Sequence, residues 1–459
     1  MNSNPYSDLL QTQNDFFDSN QTKDLKFRKG LLQRLYQVIE QNEETMFEAI
    51  YNDIGKSKLE TIATETGLIK SEITHTIKHL NEWTAKEYVP TVLANLPASS
   101  YIISEPLGTV LIIGAWNYPY LLTFQPLVSA IAAGNTVLVK PSELAVHTSA
   151  LITSIINENF EANVLHVVEG SVKETTNLLM LKFDKIFFTG STTVGKIIYQ
   201  AAAKHLTPVT LELGGKSPAI LTADASIKLA AKRLVWGKFL NSGQTCVAPD
   251  YLLVDSSIQE QFITEFKKQL IAIYGIEPEK SEGLTRIINL PNFNRLVHLI
   301  DTQKVIHGGK SNTRSLFIEP TLLFPISKEH PIMEDEIFGP ILPILTYQNL
   351  EEAIQLIKEK PKPLALYVFT NSTKTKNRIL KEISFGGGGV NEALVHLGNH
   401  NLPFGGVGSS GTGNYHGKFG FDNFSHKKAI HEKSNWFEPN IKYPPFTPLK
   451  TKLIQWLLR

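Results

Sequence analysis

Four short, nearly continuous apolar runs constrain this chain more than any other feature. They are Thr109-Val110-Leu111-Ile112-Ile113, Thr136-Val137-Leu138-Val139, Val164-Leu165-His166-Val167-Val168 and Lys185-Ile186-Phe187-Phe188. None shows the alternation expected of a sheet with one wet face. Separated by segments of helical rhythm, they predict parallel strands covered on both faces and joined by right-handed crossovers, that is, a doubly wound α/β sheet. Ligands of such sheets sit at the carboxyl ends of the strands. Asn117 follows the first strand, Lys140 and Glu143 the second, and Thr189, Gly190 and Ser191 the fourth.

The stretch from Gly190 to Gly195, GSTTVG, opens a helix at a strand end. Free backbone N–H groups and the helix dipole favour a phosphate there. It is not the dinucleotide fingerprint G-x-G-x-x-G, and a Gly-Ser turn by itself is also an ordinary helix cap. Lys140-Pro-Ser-Glu143 adds a cation and a carboxylate at the neighbouring strand end. That pair suits ribose hydroxyls, and it equally suits a plain ion pair.

Ahead of this unit, from Gln21 to about Tyr88, apolar residues recur at helical spacing, as in Leu31, Leu32, Leu35, Val38 and Ile39. His75 and His79 lie four apart on one helix face, but neither a zincin-type Glu nor a third ligand accompanies them. No metal site is expected, and a solvated helix face is the reading. Val89 to Glu105, broken at Pro97-Ala98-Ser99, reads as a hairpin arm suited to a subunit contact. A net charge of +1, from 45 basic and 44 acidic residues, gives no general field to attract nucleic acid or an anionic membrane. The start, MNSNPYSDLLQTQNDFF, lacks a basic segment followed by an apolar one. No apolar run reaches the ~18 residues of a membrane span. A soluble, cytoplasmic protein of about two or three domains is the expectation.

Cys246 is the one cysteine among 459 residues, so an intramolecular disulfide is excluded. A structural thiol is usually a small buried hydrophobe in apolar surroundings. Cys246 instead follows Asn241, Ser242, Gly243, Gln244 and Thr245, a small polar approach that admits a substrate carbon and backbone donors. Glu212 precedes it by 34 residues and stands between Leu211 and Leu213. A carboxyl among leucines resists ionisation and suits a general base near neutral pH; a paired structural Glu is the plainer alternative. Met333-Glu-Asp-Glu-Ile-Phe-Gly-Pro340 offers acidic residues beside an aromatic, or a solvated acidic turn.

Taken together, Trp116-Asn117-Tyr118-Pro119, Lys140-Pro-Ser-Glu143, Phe188-Thr-Gly-Ser191, Leu211-Glu-Leu-Gly-Gly-Lys216, Gly243-Gln-Thr-Cys246, Glu336-Ile-Phe-Gly-Pro340 and Leu402-Pro-Phe-Gly-Gly406 resemble the aldehyde dehydrogenase superfamily in motif, order and spacing. Gly237-Lys-Phe, Asn241-Ser-Gly-Gln-Thr-Cys-Val-Ala-Pro249 and the Tyr443-Pro-Pro tail are similar to its class 3 branch, which includes the fatty aldehyde dehydrogenases. The likeness covers residues 22 to 445 or so. It implies a Rossmann-like NAD(P)-binding domain over 1–88 and 106–208, and a catalytic domain over 209–405. An oligomerisation arm over 89–105 and 420–432 and a tail over 433–459 complete the subunit.

The resemblance also implies the chemistry. Cys246 would attack an aldehyde and Asn117 would hold the oxyanion. Glu212 would activate the water that hydrolyses the thioester, and Tyr118 would line the substrate pocket. Lys140 and Glu143 would take the adenosine ribose. Gly190, Ser191 and Gly195 would take the pyrophosphate end, Glu336 and Phe338 the nicotinamide ribose, and Thr189 would also bind the cofactor. Medium or long aliphatic, or aromatic, aldehydes are implied as substrates. NAD is the expected cofactor with NADP also accepted, and a homodimer is the expected assembly. Two departures stand out: the Gly386-Gly387-Gly388-Gly389 run, and the basic-apolar end from Leu449 to Arg459, for which packing on the partner subunit is favoured over a membrane surface. A cofactor-free cysteine hydrolase, which needs a His beside Cys246, and a non-catalytic protein of the same fold are the rival classes.

Overall fold

The computed structural model describes residues 4–458. Each nearly continuous apolar run is a strand because its successive side chains enter two different cores. Val110, Ile112, Val137, Val139 and Phe187 pack into one cluster, while Leu111, Ile113, Leu138, Ile186 and Phe188 pack into another. Helices on both faces contribute to each cluster and keep both sides of the sheet from water.

The strands of this sheet lie in the order Gly411–Thr412, Val209–Glu212, Lys185–Thr189, Thr109–Ile113, Thr136–Lys140, Leu165–Val167. All pairings are parallel except the outer one with Gly411–Thr412. The strand Val209–Glu212, where a separate catalytic domain was expected to begin, is therefore hydrogen-bonded into the first sheet, and the chain returns to that sheet two hundred residues later. A second sheet runs Val305–His307, Thr321–Leu323, Ile341–Tyr347, Tyr251–Asp255, Pro218–Leu221, Ala365–Phe369, Gly387–Val390. It too is parallel apart from Val305–His307.

The helical lead-in forms as expected, with Asp24 capping Leu25–Gln41 by accepting from the N–H of Phe27. A further helix, Ser7–Asp18, was not foreseen. It docks partly through polar groups: Gln13 Nε2 donates to the carbonyls of Val137 at 3.1 Å and Ala162 at 2.9 Å. His75 and His79 are half-buried rather than a solvated face. Their rings lie 4.3 Å apart, and His75 stacks on His400 at 4.8 Å. His400 arrives from a distant part of the chain, which helical periodicity has no means of registering.

The arm is an antiparallel sheet of Glu87–Val89, Ala98–Pro106 and Ser425–Lys433. Its last strand begins at Ser425, because Asn423 ends the helix Gly417–Asn423. The tail forms a helix, Pro448–Leu457, whose N-cap Thr447 accepts from the N–H of Lys450. This helix lies against the turn Leu93–Asn95 of the same chain's hairpin. Among the described residues no helix is long and apolar enough to cross a membrane.

Candidate active site

Cys246 lies beyond the helix Ile227–Phe239 and the tight turn Leu240–Gly243. Asn241, Ser242 and Gly243 all have left-handed backbone, with φ of 53°, 51° and 71°. A run of this kind is costly for two non-glycine residues and persists only where its surroundings fix it. The surroundings do so here. Gln244 Nε2 donates to the carbonyls of Asn241 and Arg286, and its Oε1 accepts from the N–H of Ile288. The turn leaves Cys246 partly open to solvent.

Asn117 sits in the loop between the strand Thr109–Ile113 and the helix Leu121–Ala133. Its Nδ2 donates to the carbonyl of Gln244 at 3.0 Å, two residues before the thiol. Asn241 Nδ2 returns the contact, donating to the carbonyl of Asn117 at 2.8 Å. Tyr118 Oη meets Thr245 Oγ1 at 2.7 Å. The amide of Asn117 and the sulfur of Cys246 are thus held by reciprocal bonds between two loops far apart in sequence.

Two carboxyl groups act on this thiol. Burial pushes the Cys246 thiol well up, and the nearby negative charges of Glu336 and Glu212 push it in the same direction. Glu212, 3% exposed, ends its strand, and neither of its oxygens accepts a hydrogen bond from the protein. Burial alone raises it far above the usual carboxylate range. The leucine-flanked carboxyl is therefore unpaired, which removes the reading of a satisfied structural Glu. Glu336 is pushed up to about 8, chiefly by burial and then by Asp250, against a hydrogen bond from the backbone of Gly215. It approaches so closely that a Cβ at Gly214 would overlap its Oε2. Phe338, with φ of 51°, sets its ring edge-on to Trp116 at 5.4 Å.

Lys140 and Thr189 end the strands Thr136–Lys140 and Lys185–Thr189, the places expected for them. Lys140 is buried and its Nζ pairs with Glu143 at 2.5 Å; the Glu143 carboxylate stays 39% exposed. The ion-pair reading holds, and the pair leaves the Glu143 carboxylate partly exposed. Ser191 caps the helix Thr192–Ala203 through the N–H of Val194, and the remaining first-turn N–H groups point to the same strand end. Gly195 is packed too tightly for a side chain, because a Cβ there would stand 2.6 Å from Leu213. Thr189 Oγ1 is buried without a partner. A buried cation, a partly exposed carboxylate and a helix N-terminus at strand ends of the same sheet fit a dinucleotide.

Sequence reasoning overlooked Lys216 and Asp250. They form a buried ion pair, and Lys216 Nζ also donates to the carbonyls of Ile332 at 2.9 Å and Asp335 at 2.8 Å. Asp250 accepts from the N–H of Ile337. Together they pin the turn that carries Glu336 and Phe338. The signal in the sequence was the Lys after Gly214-Gly215, visible but indistinguishable from a surface cation. The glycine run also gains a reason: a Cβ at Gly388 would overlap the carbonyl of Leu366, and one at Gly386 would overlap that of Gly405. The glycines let the Phe404–Gly406 loop close over the sheet edge.

The profile of the aldehyde dehydrogenase family matches residues 8–430. The chain belongs to the aldehyde dehydrogenase family. Its relatives are of class 3. It is 49% identical to 4,4'-diaponeurosporen-aldehyde dehydrogenase of Staphylococcus aureus (strain NCTC 8325 / PS 47), over 94% of each chain. It is 46% identical to the dimeric NADP-preferring aldehyde dehydrogenase of Rattus norvegicus, over 96% of this chain and 97% of that one. The solved substrate-bound state of Staphylococcus aureus AldH superposes with a TM-score of 0.98 at 47% identity, each chain covered completely. As an aldehyde dehydrogenase the protein oxidises aldehydes to carboxylic acids with NAD or NADP, through the cysteine chemistry general to the family.

Proposed function

We propose that Cys246 is the nucleophile, Asn117 the oxyanion donor and Glu212 the group that activates water for hydrolysis of the thioester. The observation that carries this is the convergence of a partly open thiol, an amide bonded to the loop that carries it and an unpaired buried carboxyl whose charge acts on that thiol. Cys246 sulfur bonds to the aldehyde carbon, and the Asn117 amide and the Cys246 N–H steady the oxygen of the resulting thiohemiacetal. Bound nicotinamide supplies the acceptor for the hydride that leaves this carbon. Burial raises the Glu212 pKa; when water enters, the carboxyl gains a hydrogen-bonding partner and loses its proton to solvent, and the resulting carboxylate takes a proton from the water that attacks the thioester.

Lys140 and Glu143 are the proposed ribose grip, and Thr189, Gly190, Ser191 and Gly195 the pyrophosphate site. Glu336 and Phe338 face the nicotinamide ribose, and Tyr118 lines the substrate pocket beside Thr245. Both cofactors are used, with NAD moderately favoured. Medium to long aliphatic or aromatic aldehydes are the proposed substrates; the apolar substrate in the name of the Staphylococcus aureus relative supports the long-chain side. The word dimeric in the rat relative's name, and an arm strand with one open edge, support a homodimer. The proposed subunit has an NAD(P)-binding part, a catalytic part beginning after Glu212 rather than at Val209, and the arm. We place it in the cytoplasm.

Single-turnover traces of reduced cofactor test the three roles together. Cys246→Ala should show no burst while cofactor binding stays nearly unchanged. Glu212→Gln should keep the burst and lose ~10²-fold or more in the steady state, as loss of a general base does. Turnover in Cys246→Ala, or a vanished burst in Glu212→Gln, would overturn the corresponding assignment.

A further inference from the structure

One segment, Lys56 to Glu65, touches both loops of the site. Lys56 and Glu65 form an ion pair at 2.5 Å with both side chains fully buried. The remaining reach of each ion is spent on the Asn117 loop. Lys56 Nζ donates to the carbonyl of Asn117 at 3.3 Å and stands 4.1 Å above the centre of the Tyr118 ring. Glu65 Oε2 accepts from the N–H groups of Tyr120 at 2.9 Å and Leu121 at 3.3 Å, where the next helix starts. Five residues away on the same segment, Glu60 Oε1 accepts from the N–H of Asn241 at 3.0 Å, in the strained turn that precedes Cys246.

The backbone of this segment is built for the task. Ile62–Thr66 is a π-helical turn inside an otherwise α-helical stretch, with the N–H of Gly67 reaching the carbonyl of Ile62. On a regular helix, at about 100° per residue, positions 60 and 65 would point roughly 140° apart. The wider turn narrows that angle and brings both carboxyls to the buried side, a use to which such bulges are often put near functional sites. Burying one ammonium and two carboxyls is expensive, and a hydrophobic trio would pack as well. Only the ions reach the backbone of both loops.

We infer that Lys56 and Glu65, with Glu60, are positioning residues: they hold the Asn117 loop at a fixed distance from the Cys246 loop, so that the Asn117 amide meets the oxyanion as it forms. This rests on the proposed role of Asn117. An oxyanion donor acts by geometry, and a displacement of about 1 Å removes most of its effect. The clamp therefore influences the rate of acyl formation and leaves cofactor affinity alone.

A mutant cycle on the burst rate constant tests this in the full-length enzyme. Asn117→Ala should slow the burst by ~10²- to 10³-fold, as removal of one oxyanion donor does. Lys56→Met and Glu65→Gln should each slow it by ~10- to 10²-fold, with KM for the aldehyde and Kd for the cofactor within about twofold of wild type. In the Asn117→Ala background the same two substitutions should change the burst by less than ~2-fold, since they act through that amide. Lys58→Ala, an exposed neighbour paired with Glu44, should change nothing. Should Lys56→Met fail to fold, Glu65→Gln, which keeps shape and an acceptor, carries the test. Equal slowing in both backgrounds, or no slowing in the wild-type one, overturns the clamp. A normal burst in Asn117→Ala overturns the oxyanion role instead, and the clamp with it.

Discussion

Lys140 and Glu143 show at the scale of single residues how one contact sets two properties. The Lys140 ammonium is buried and neutralised by a carboxylate that is itself partly open to solvent. With Glu143 charged, a 2′-phosphate meets repulsion and Lys140 is already occupied. Glu143→Gln removes the repulsion and releases Lys140 together. The ratio of kcat/KM for NADP over NAD should then rise by ~5-fold or more, the equivalent of about 1 kcal/mol. An unchanged ratio in steady-state assays with the two cofactors would remove Glu143 from the ribose. Most of these site residues are legible in sequence because each occupies a local motif: a strand end, a glycine pair, a polar approach to a cysteine. Lys56, Glu60, Glu65, Lys216 and Asp250 are not, because a Lys or Glu on a helix or turn looks the same in sequence whether water or a buried backbone carbonyl lies beyond it.

Among the elements, the strand Lys185–Thr189 carries an oddity at its start. Lys185 is buried; its Nζ donates to Asn423 Oδ1 at 2.8 Å and stands 6.0 Å over the centre of the Phe424 ring, with no carboxylate paired to it among the described residues. Burial lowers its pKa to about 8 from an ordinary value of 10.5. The folded state therefore binds fewer protons than the unfolded state between those values, and stability rises with pH across that window. Below pH 8 the ammonium is charged in both states and the full penalty of burying it is present. Lys185→Met should accordingly stabilise the fold by on the order of 2 kcal/mol near pH 7, and the gain should fade toward pH 10. Asn423 keeps a partner in Thr210, whose hydroxyl donates to it at 3.0 Å. Denaturant titrations of both proteins at several pH values check this, and a destabilised variant at pH 7 would mean that the Lys185 bond outweighs its desolvation.

For the whole molecule, the arm joins residues 87–106 to residues 425–433, two segments far apart in the chain. Its strand Ser425–Lys433 pairs on one side only among the described residues, and an open edge of nine residues invites a second chain. Ala429→Pro removes one N–H from this strand, whether that group faces its own neighbour or a partner. Sedimentation should show the wild type as a dimer and this variant shifted toward monomer at micromolar concentration, with the Cys246 turn unaffected. A variant that remains a full dimer would place the subunit contact elsewhere. The sequence by itself determined the parallel sheet and the family, and it singled out the residues proposed for the chemistry, because continuous apolar runs and short motifs are local patterns with local physical causes. Tertiary structure alone decided which sheet holds Glu212, that its carboxyl goes unpaired, that His75 stacks on His400, and that ions on an early helix hold two loops together. Those outcomes depend on which distant groups meet in a dry interior, and the energy of a buried charge is set by the partner it meets there rather than by its neighbours in the chain.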